Sequence, residues 1–272
     1  MPKYLLLKSA APTPYATYQN SGRPLSDTPV SLRDLYGTIE NQGEEGSCSA
    51  FASLQFRGAL RKQGGLSWLN PSEQAQYYEE RKMENTVKQD SGASLEDALS
   101  VLEKYGVMPE QDDPYTPQDF AVDPPPNDWN RSLKLSRKQV QKVNPDTVLA
   151  DTLDALTNGH PVLFGFTVFS ELESPEVADT GLLPMPGPDS QELGGHAVNA
   201  IGYDPTRQLV LVLNQWGANW GIKLPREFRG CFWMPYQYYS SYCMDAYVGF
   251  PDAPPQPLHT ESRETGTPDM SD

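Results

Sequence analysis

Cysteine is scarce in this 272-residue sequence, which contains only Cys48, Cys231 and Cys243. An odd number of cysteines without regular spacing is a poor disulfide framework, and a chain of this length can fold without one. The CxxC, HExxH and paired Cys/His spacings typical of zinc sites are missing as well, so no metal is expected. We expect free thiols at Cys231 and Cys243, as in a reducing compartment.

Positive charge and long apolar runs are also in short supply. Lys and Arg total 21 against 36 Asp and Glu, which gives a formal net charge of −15. Nucleic acids and anionic membranes are bound through clustered basic residues, so neither is expected as a partner. The N-terminal apolar patch covers only residues 4–7, too short for a secretory signal or a membrane span. We expect a soluble, cytoplasmic protein, with export by a route that leaves no such signal as the open alternative.

Helix signals dominate the first half of the chain and strand signals the second half. Apolar periodicity and capping residues predict helices over 48–63, for about a dozen residues after Asn70-Pro71, from Ser94 to Gly106, and near 146–157. Runs typical of strands follow at 161–168, 196–203, 209–216, 231–234 and 246–250. This segregation favours an α+β fold over a doubly wound α/β sheet.

The two ends of the chain differ in composition from the middle. Residues 1–28 are rich in Pro, Ser, Thr and Tyr and are predicted to form an N-terminal arm. Residues 251–272 have several prolines and almost no apolar content, so we expect a disordered tail there. A single folded domain is expected between them, over residues 29–250.

Cys48 occupies an unusual place, between a Gly-Ser pair and the start of the first predicted helix. The positive end of a helix dipole favours the thiolate form of a cysteine. Of the three histidines, His259 lies in the predicted tail and His160 in a turn, whereas His196 follows two glycines at the start of a strand. Asn214 ends another strand and is followed by Trp216, so it is suited to orient an imidazole beneath an indole. Each residue alone has a structural explanation, but together they indicate nucleophilic catalysis.

Three ordered motifs resemble those of papain-like cysteine proteases, and specifically the bacterial, cathepsin-like branch. They are Asn41-Gln42-Gly43 with Gly46-Ser47-Cys48, Gly194-Gly195-His196-Ala197-Val198, and Asn214-Gln215-Trp216-Gly217. His196 falls within the window of roughly 130–150 residues after the cysteine that is typical of the family, and Asn214 lies a little beyond it. The resemblance implies two lobes with an active-site cleft between them, a helical left lobe over about 45–120 and a β-barrel-like right lobe over about 125–250.

The resemblance also implies a mechanism for these residues. Cys48 would attack a peptide carbonyl as thiolate, His196 would accept and return the proton, and Asn214 would orient His196. Gln42 and the backbone N–H of Cys48 would bind the oxyanion. The implied function is a cysteine-type endopeptidase that forms a thioester acyl-enzyme without a cofactor, acts on peptides or proteins, and works as a monomer. In such Cys–His pairs the thiol pKa can fall to roughly 3–4, which predicts an ion pair at rest.

The same comparison implies a substrate-binding edge and shows three departures. Gly92 and Ala93 match the segment that pairs with the substrate backbone, and the expected substrate-binding set is Gly92, Ala93, Ser94, Gly195 and Trp216. Glu45 stands where many relatives have a bridging cysteine, Ser49 where the best-known relatives have Trp, and Gln215 where Ser is usual.

Several alternatives stay open at the level of sequence. A transglutaminase-like acyl transferase uses a similar set of groups, and a catalytically silent binding protein on the same scaffold is the rival outside enzymes. The arm is either a plain N-terminal strand and linker or a segment that lies across the cleft and inhibits the enzyme.

Overall fold

The computed structural model describes residues 3–9 and 12–251 of the chain. Six α-helices occur in the described residues. They are α1 (Cys48–Gln63), α2 (Glu73–Met83), α3 (Leu95–Lys104), α4 (Val148–Thr157), α5 (Pro175–Thr180) and α6 (Tyr236–Tyr242). The first three form the helical lobe. Ser94 caps α3 as predicted and accepts a hydrogen bond from the Asp97 N–H. Helix α2 starts two residues later than predicted, because Ser72, and not Asn70, is its cap and accepts from the Ala75 N–H.

In the residues that the structure describes, eight strands form one mixed sheet, and six of them come from the second half of the chain. They are β1 (Ala16–Thr17), β2 (Val30–Ser31), β3 (Val140–Lys142), β4 (Val162–Phe169), β5 (Glu192–Asp204), β6 (Leu209–Leu213), β7 (Cys231–Pro235) and β8 (Cys243–Gly249). The strand order is β1-β3-β8-β4-β5-β6-β7, with β2 paired to β5. The sheet therefore has two ends and is not closed into the barrel-like shape that the resemblance implied.

Strand β5 is central to the sheet and to the contact between the lobes. It pairs antiparallel with β4 and β6, which buries residues 195–203. Helix α1 packs on the same strand, and the Asn199 side chain donates a hydrogen bond to the Ala52 carbonyl oxygen at 3.0 Å. The start of α1 and the start of β5 are thereby held at one cleft.

The α+β prediction is confirmed, and the differences from it lie in short elements. The strands of two or three residues (β1–β3) and the short helices α5 and α6 were not predicted, because they are too short to show a period. The predicted tail lies outside the described residues, apart from Pro251. In the part of the chain that the structure describes, no helix has the length and apolarity needed to cross a bilayer.

Candidate active site

Cys48 is the first residue of α1 and is fully buried. Ser47 precedes the helix, and its hydroxyl hydrogen-bonds the Tyr115 hydroxyl at 2.7 Å, which fixes the turn in front of Cys48. The Cys48 sulfur packs in the same cluster as Ala197 and receives a hydrogen bond from the Ala197 backbone. The thiol therefore lies against the residue that follows His196.

His196 is held by an amide on one edge and an indole on one face. Its Nε2 lies 3.0 Å from Asn214 Oδ1, and the Trp216 ring stacks on the imidazole with centroids 5.3 Å apart. The Asn214 oxygen accepts from Nε2–H, which leaves Nδ1 as the acceptor nitrogen. Nδ1 is buried and has no hydrogen-bond partner among the described residues. The ring is therefore oriented to take a proton through Nδ1.

Gln42 lies on the loop before Cys48, and its backbone N–H donates to the Gln215 carbonyl oxygen at 3.0 Å across the cleft. Its side-chain amide is fully buried and donates one N–H to the Glu45 carbonyl oxygen at 3.0 Å. An amide has two N–H groups, so the second remains for a ligand in the cleft.

The N-terminal residues 3–9 lie across this cleft and cover Cys48 and His196. The Tyr4 ring meets the His196 ring edge-on, with centroids 5.7 Å apart, and lies beside Trp216. Leu6 is buried in the same cluster as Cys48. The sequence left open whether the arm is a plain strand and linker or lies across the cleft. In the structure, residues 3–9 lie across the cleft.

Two of the predicted substrate-binding residues hydrogen-bond the arm. The Leu6 N–H donates to the Gly195 carbonyl oxygen at 3.0 Å, and the Leu7 N–H donates to the Ala93 carbonyl oxygen at 3.1 Å. The bond to Gly195 joins the arm to the β-rich lobe, and the bond to Ala93 joins it to the helical lobe. The arm therefore shows that an extended chain can pair with both edges of the cleft.

The other predicted substrate-binding residues lie under or beside the arm. Gly92 has φ +72°, and a side chain there would collide with the Leu5 carbonyl oxygen, so glycine is needed for the close approach. Ser94 caps α3 and forms an isolated bridge with Leu7. Trp216 stacks on His196 next to Tyr4, so the five predicted residues do line one cleft.

Burial under the arm sets the charge state of the pair. Burial raises the pKa of the Cys48 thiol to about 12, and it lowers the pKa of His196 to about 4, against a raising effect of Asn214. In this covered form burial favours the neutral thiol and the neutral imidazole. It thereby opposes the ion pair expected from sequence, because water is excluded from the groups that would carry the charges.

Two supporting contacts were not predicted from sequence. The Gln215 amide donates to the Ala197 carbonyl oxygen at 2.7 Å, which secures the strand that carries His196. The Ser49 hydroxyl donates to the buried carboxyl of Glu80 at 2.5 Å, directly beside Cys48. Their sequence signal was only the departure from the usual residues at positions 49 and 215, which gives no partner.

Comparisons with known proteins agree with this architecture. The family model of the papain family cysteine proteases matches residues 30–225. An uncharacterized peptidase C1-like protein of Acanthamoeba polyphaga mimivirus is 36% identical over 219 residues, covering 77% of this chain and 67% of that protein.

Solved structures of cysteine proteases also resemble this fold. Xylellain, a cysteine protease from Xylella fastidiosa, superposes with a TM-score of 0.80 at 28% identity, over 92% of this chain and 97% of xylellain. Digestive procathepsin L 3 of Tenebrio molitor has a TM-score of 0.67 at 21% identity, over 92% of this chain and 75% of that chain, which is a likeness of fold. The chain belongs to the papain family and is a papain-like cysteine protease.

Proposed function

We propose that this protein is an endopeptidase that hydrolyses peptide bonds through a thioester on Cys48, with His196 as base and Asn214 as its orienting group. The observation that carries the proposal is the His196–Asn214 hydrogen bond beneath Trp216, with the Cys48 sulfur against Ala197. This geometry joins a nucleophile, a base and a group that fixes the base.

Each step has a group in place once a substrate replaces the arm. The Cys48 thiol transfers its proton to His196 Nδ1, and the sulfur attacks the carbonyl carbon. The free N–H of Gln42 and the backbone N–H of Cys48 stabilise the oxyanion. The imidazolium then protonates the leaving amine, the thioester forms, and water activated by His196 releases the acid and restores the thiol.

The test is labelling of the full chain by a thiol-directed peptidyl epoxide, together with cleavage of a peptide reporter. We expect stoichiometric modification at Cys48, none in Cys48→Ala, and much slower modification in His196→Ala. Cys243→Ala is the matched control and should behave as wild type. Labelling absent from Cys48 would contradict the proposal and favour a silent binding protein. A product that contains an added amine in place of water would favour the acyl transferase.

The arm carries a second proposal, that residues 3–9 inhibit the enzyme. Its support is that Tyr4 and Leu6 bury His196 and Cys48 while the arm backbone occupies the hydrogen-bonding positions of Gly195 and Ala93. A substrate and the arm cannot use these positions together, so the arm competes with the substrate.

Adjacent leucines provide a matched pair for testing inhibition. Leu6 is 6% exposed and Leu7 is 41% exposed. Leu6→Asp buries a charge and should release the arm, whereas Leu7→Asp should not. We expect faster iodoacetamide modification of Cys48, mapped by mass spectrometry, and faster reporter cleavage only in Leu6→Asp. Equal rates in both variants and wild type would show that the arm does not restrain the site.

A further inference from the structure

The two proposed oxyanion donors stand at opposite ends of one short loop, residues 42–48. The first donor is the side-chain amide of Gln42, and the second is the backbone N–H of Cys48, where α1 begins. Within the loop, the Gln42 amide donates its other N–H to the Glu45 carbonyl oxygen at 3.0 Å. The separation of the two donors therefore depends on how the two ends of this loop are held.

The hydroxyl of Tyr115 contacts both ends of the loop. It donates to the Gln42 carbonyl oxygen at 2.8 Å, and it lies 2.7 Å from the hydroxyl of Ser47, the residue before Cys48. A phenol has one proton, which goes to Gln42, so Ser47 donates to the phenolic oxygen. One oxygen atom thus links the residue that carries the first donor to the residue that precedes the second.

Tyr115 is itself held by the helical lobe. Its ring meets the Phe51 ring of α1 edge-on, with centroids 4.9 Å apart, and its backbone N–H donates to the Glu110 carboxyl at 2.9 Å. Burial, and next the neighbouring Glu45 carboxyl, raise the pKa of Tyr115 well above its usual value, so the hydroxyl keeps its proton. The loop is therefore tied to a donor whose place is set from outside the loop.

We infer that Tyr115 is a positioning residue of the oxyanion site, whose hydroxyl sets the separation of the Gln42 and Cys48 donors. The inference rests on the proposed peptidase function of Cys48 and adds a residue that acts through both donors rather than on the substrate itself. Two donors stabilise an oxyanion only when both point at the place where the charge develops, so a shift of about 1 Å in one of them can cost about 100-fold in rate.

Tyr115→Phe removes the hydroxyl and keeps the ring that packs on Phe51. For cleavage of a peptide reporter by the full chain, we expect kcat to fall about tenfold with little change in KM, because both donors remain but are less well placed. Tyr105→Phe is the matched control on the same lobe. Its ring packs on Trp129 at the end of α3, so both constants should stay as in wild type.

Two reagents separate a displaced oxyanion site from a general disturbance of Cys48. With a peptidyl aldehyde, the thiol gives its proton to His196, the sulfur bonds to the carbonyl carbon, and the carbonyl oxygen takes the negative charge. With iodoacetamide, the sulfur replaces iodide on a saturated carbon, and no charge develops on oxygen. Both reagents need the arm to be displaced, so their comparison cancels its occupancy. We expect Tyr115→Phe to bind the aldehyde about tenfold more weakly, whereas Cys48 is alkylated at the wild-type rate.

A double variant tests whether Tyr115 acts through Gln42. In the Gln42→Ala background one of the two positioned donors is already gone, so Tyr115→Phe should lower kcat by a smaller factor than it does in wild type. The same factor in both backgrounds would show that the hydroxyl does not act through the Gln42 donor.

The other outcomes separate this inference from the proposal beneath it. Equal losses with the aldehyde and with iodoacetamide would overturn the inference, because Tyr115 would then support the sulfur or the fold in general. An unchanged kcat and aldehyde affinity in Tyr115→Phe would also overturn it, and would leave the peptidase intact. A wild-type chain that neither cleaves the reporter nor is labelled by the epoxide at Cys48 would overturn the peptidase and the inference with it.

Discussion

His196 and Gln42 are each held in position by contacts with neighbouring residues. Asn214 and Trp216 hold the edge and one face of the His196 ring, and Gln215 secures the strand beside it. Gln42 is held in turn by the Glu45 carbonyl oxygen. The consequence is a buried set of polar groups that stays aligned without a substrate.

Loss of the Gln42 side chain should damage turnover more than binding. Its free N–H is proposed to contact the oxyanion only as that charge develops, so Gln42→Ala should lower kcat by about 10²–10³ with little change in KM. The exposed Gln89→Ala, on the same lobe, is the matched control. A change confined to KM would show that Gln42 acts in the ground state instead.

The carboxyl of Glu80 should make stability depend on pH. Burial raises its pKa from 4.5 to about 8, against lowering by hydrogen bonds from Ser49 and Gln76, so the folded chain retains a proton that the unfolded chain loses. That contribution is complete below pH 4.5 and is lost as the pH rises through 8.

Glu80→Gln removes this dependence. The unfolding temperature of the variant, relative to wild type, should therefore be higher at pH 8.5 than at pH 5, as measured by thermal denaturation. A difference that is the same at both pH values would contradict the assignment.

Most residues of the candidate site could be predicted from the sequence, whereas the contacts around them could not. Cys48, His196 and Asn214 could be found because glycines, a helix start and a following Trp mark them locally. The Ser49–Glu80 bond and the Tyr115–Gln42 bond could not, because each joins residues far apart in sequence, and a polar residue alone gives no sign of its partner. The burial that shifts the pKa values of Cys48 and His196 also depends on tertiary packing, which the sequence alone does not show.

At the scale of elements, the arm contacts strand β4 where Leu6 packs on Gly165. This contact can be altered without changing Cys48, His196 or Asn214. A Cβ atom added to Gly165 would collide with the Leu6 side chain, whereas its next neighbour, the His196 carbonyl oxygen, is 3.8 Å away. Valine suits a strand, so the cost should fall on the arm rather than on β4.

Gly165→Val should therefore loosen the arm. We expect iodoacetamide to modify Cys48 faster than in wild type, because this small reagent needs access to sulfur but no side-chain pocket. Gly187→Val is the control, since a Cβ atom there meets only Ser190 Oγ at 3.9 Å. An unchanged rate in Gly165→Val would show that Leu6 is not what keeps the arm in place.

Helix ends were easier to predict than sheet edges for a physical reason. Ser94 caps α3 through a local hydrogen bond that residue type alone can indicate, and the cap of α2, Ser72, lies only two residues from the predicted Asn70. Strand β1 exists only because it pairs with β3, and that pairing is long-range. The strands β4 and β5 carry enough apolar residues to be evident without knowledge of their partners.

For the whole molecule, the formal net charge of −15 opposes the compact state. Raising NaCl from 10 to 200 mM shortens the screening length from about 30 Å to below 10 Å. We expect the unfolding temperature to rise by about 2–5 °C, measured at one pH by differential scanning calorimetry. A fall would indicate that attractive ion pairs outweigh the repulsion.

The hydrogen bond from Asn199 to Ala52 joins β5 to α1 without involving the arm. The elements that carry Cys48 and His196 are therefore held together by the body of the protein, independently of the arm. On the proposed inhibition by the arm, displacement of residues 3–9 should therefore be sufficient for activation, with no rearrangement of the residues beneath them.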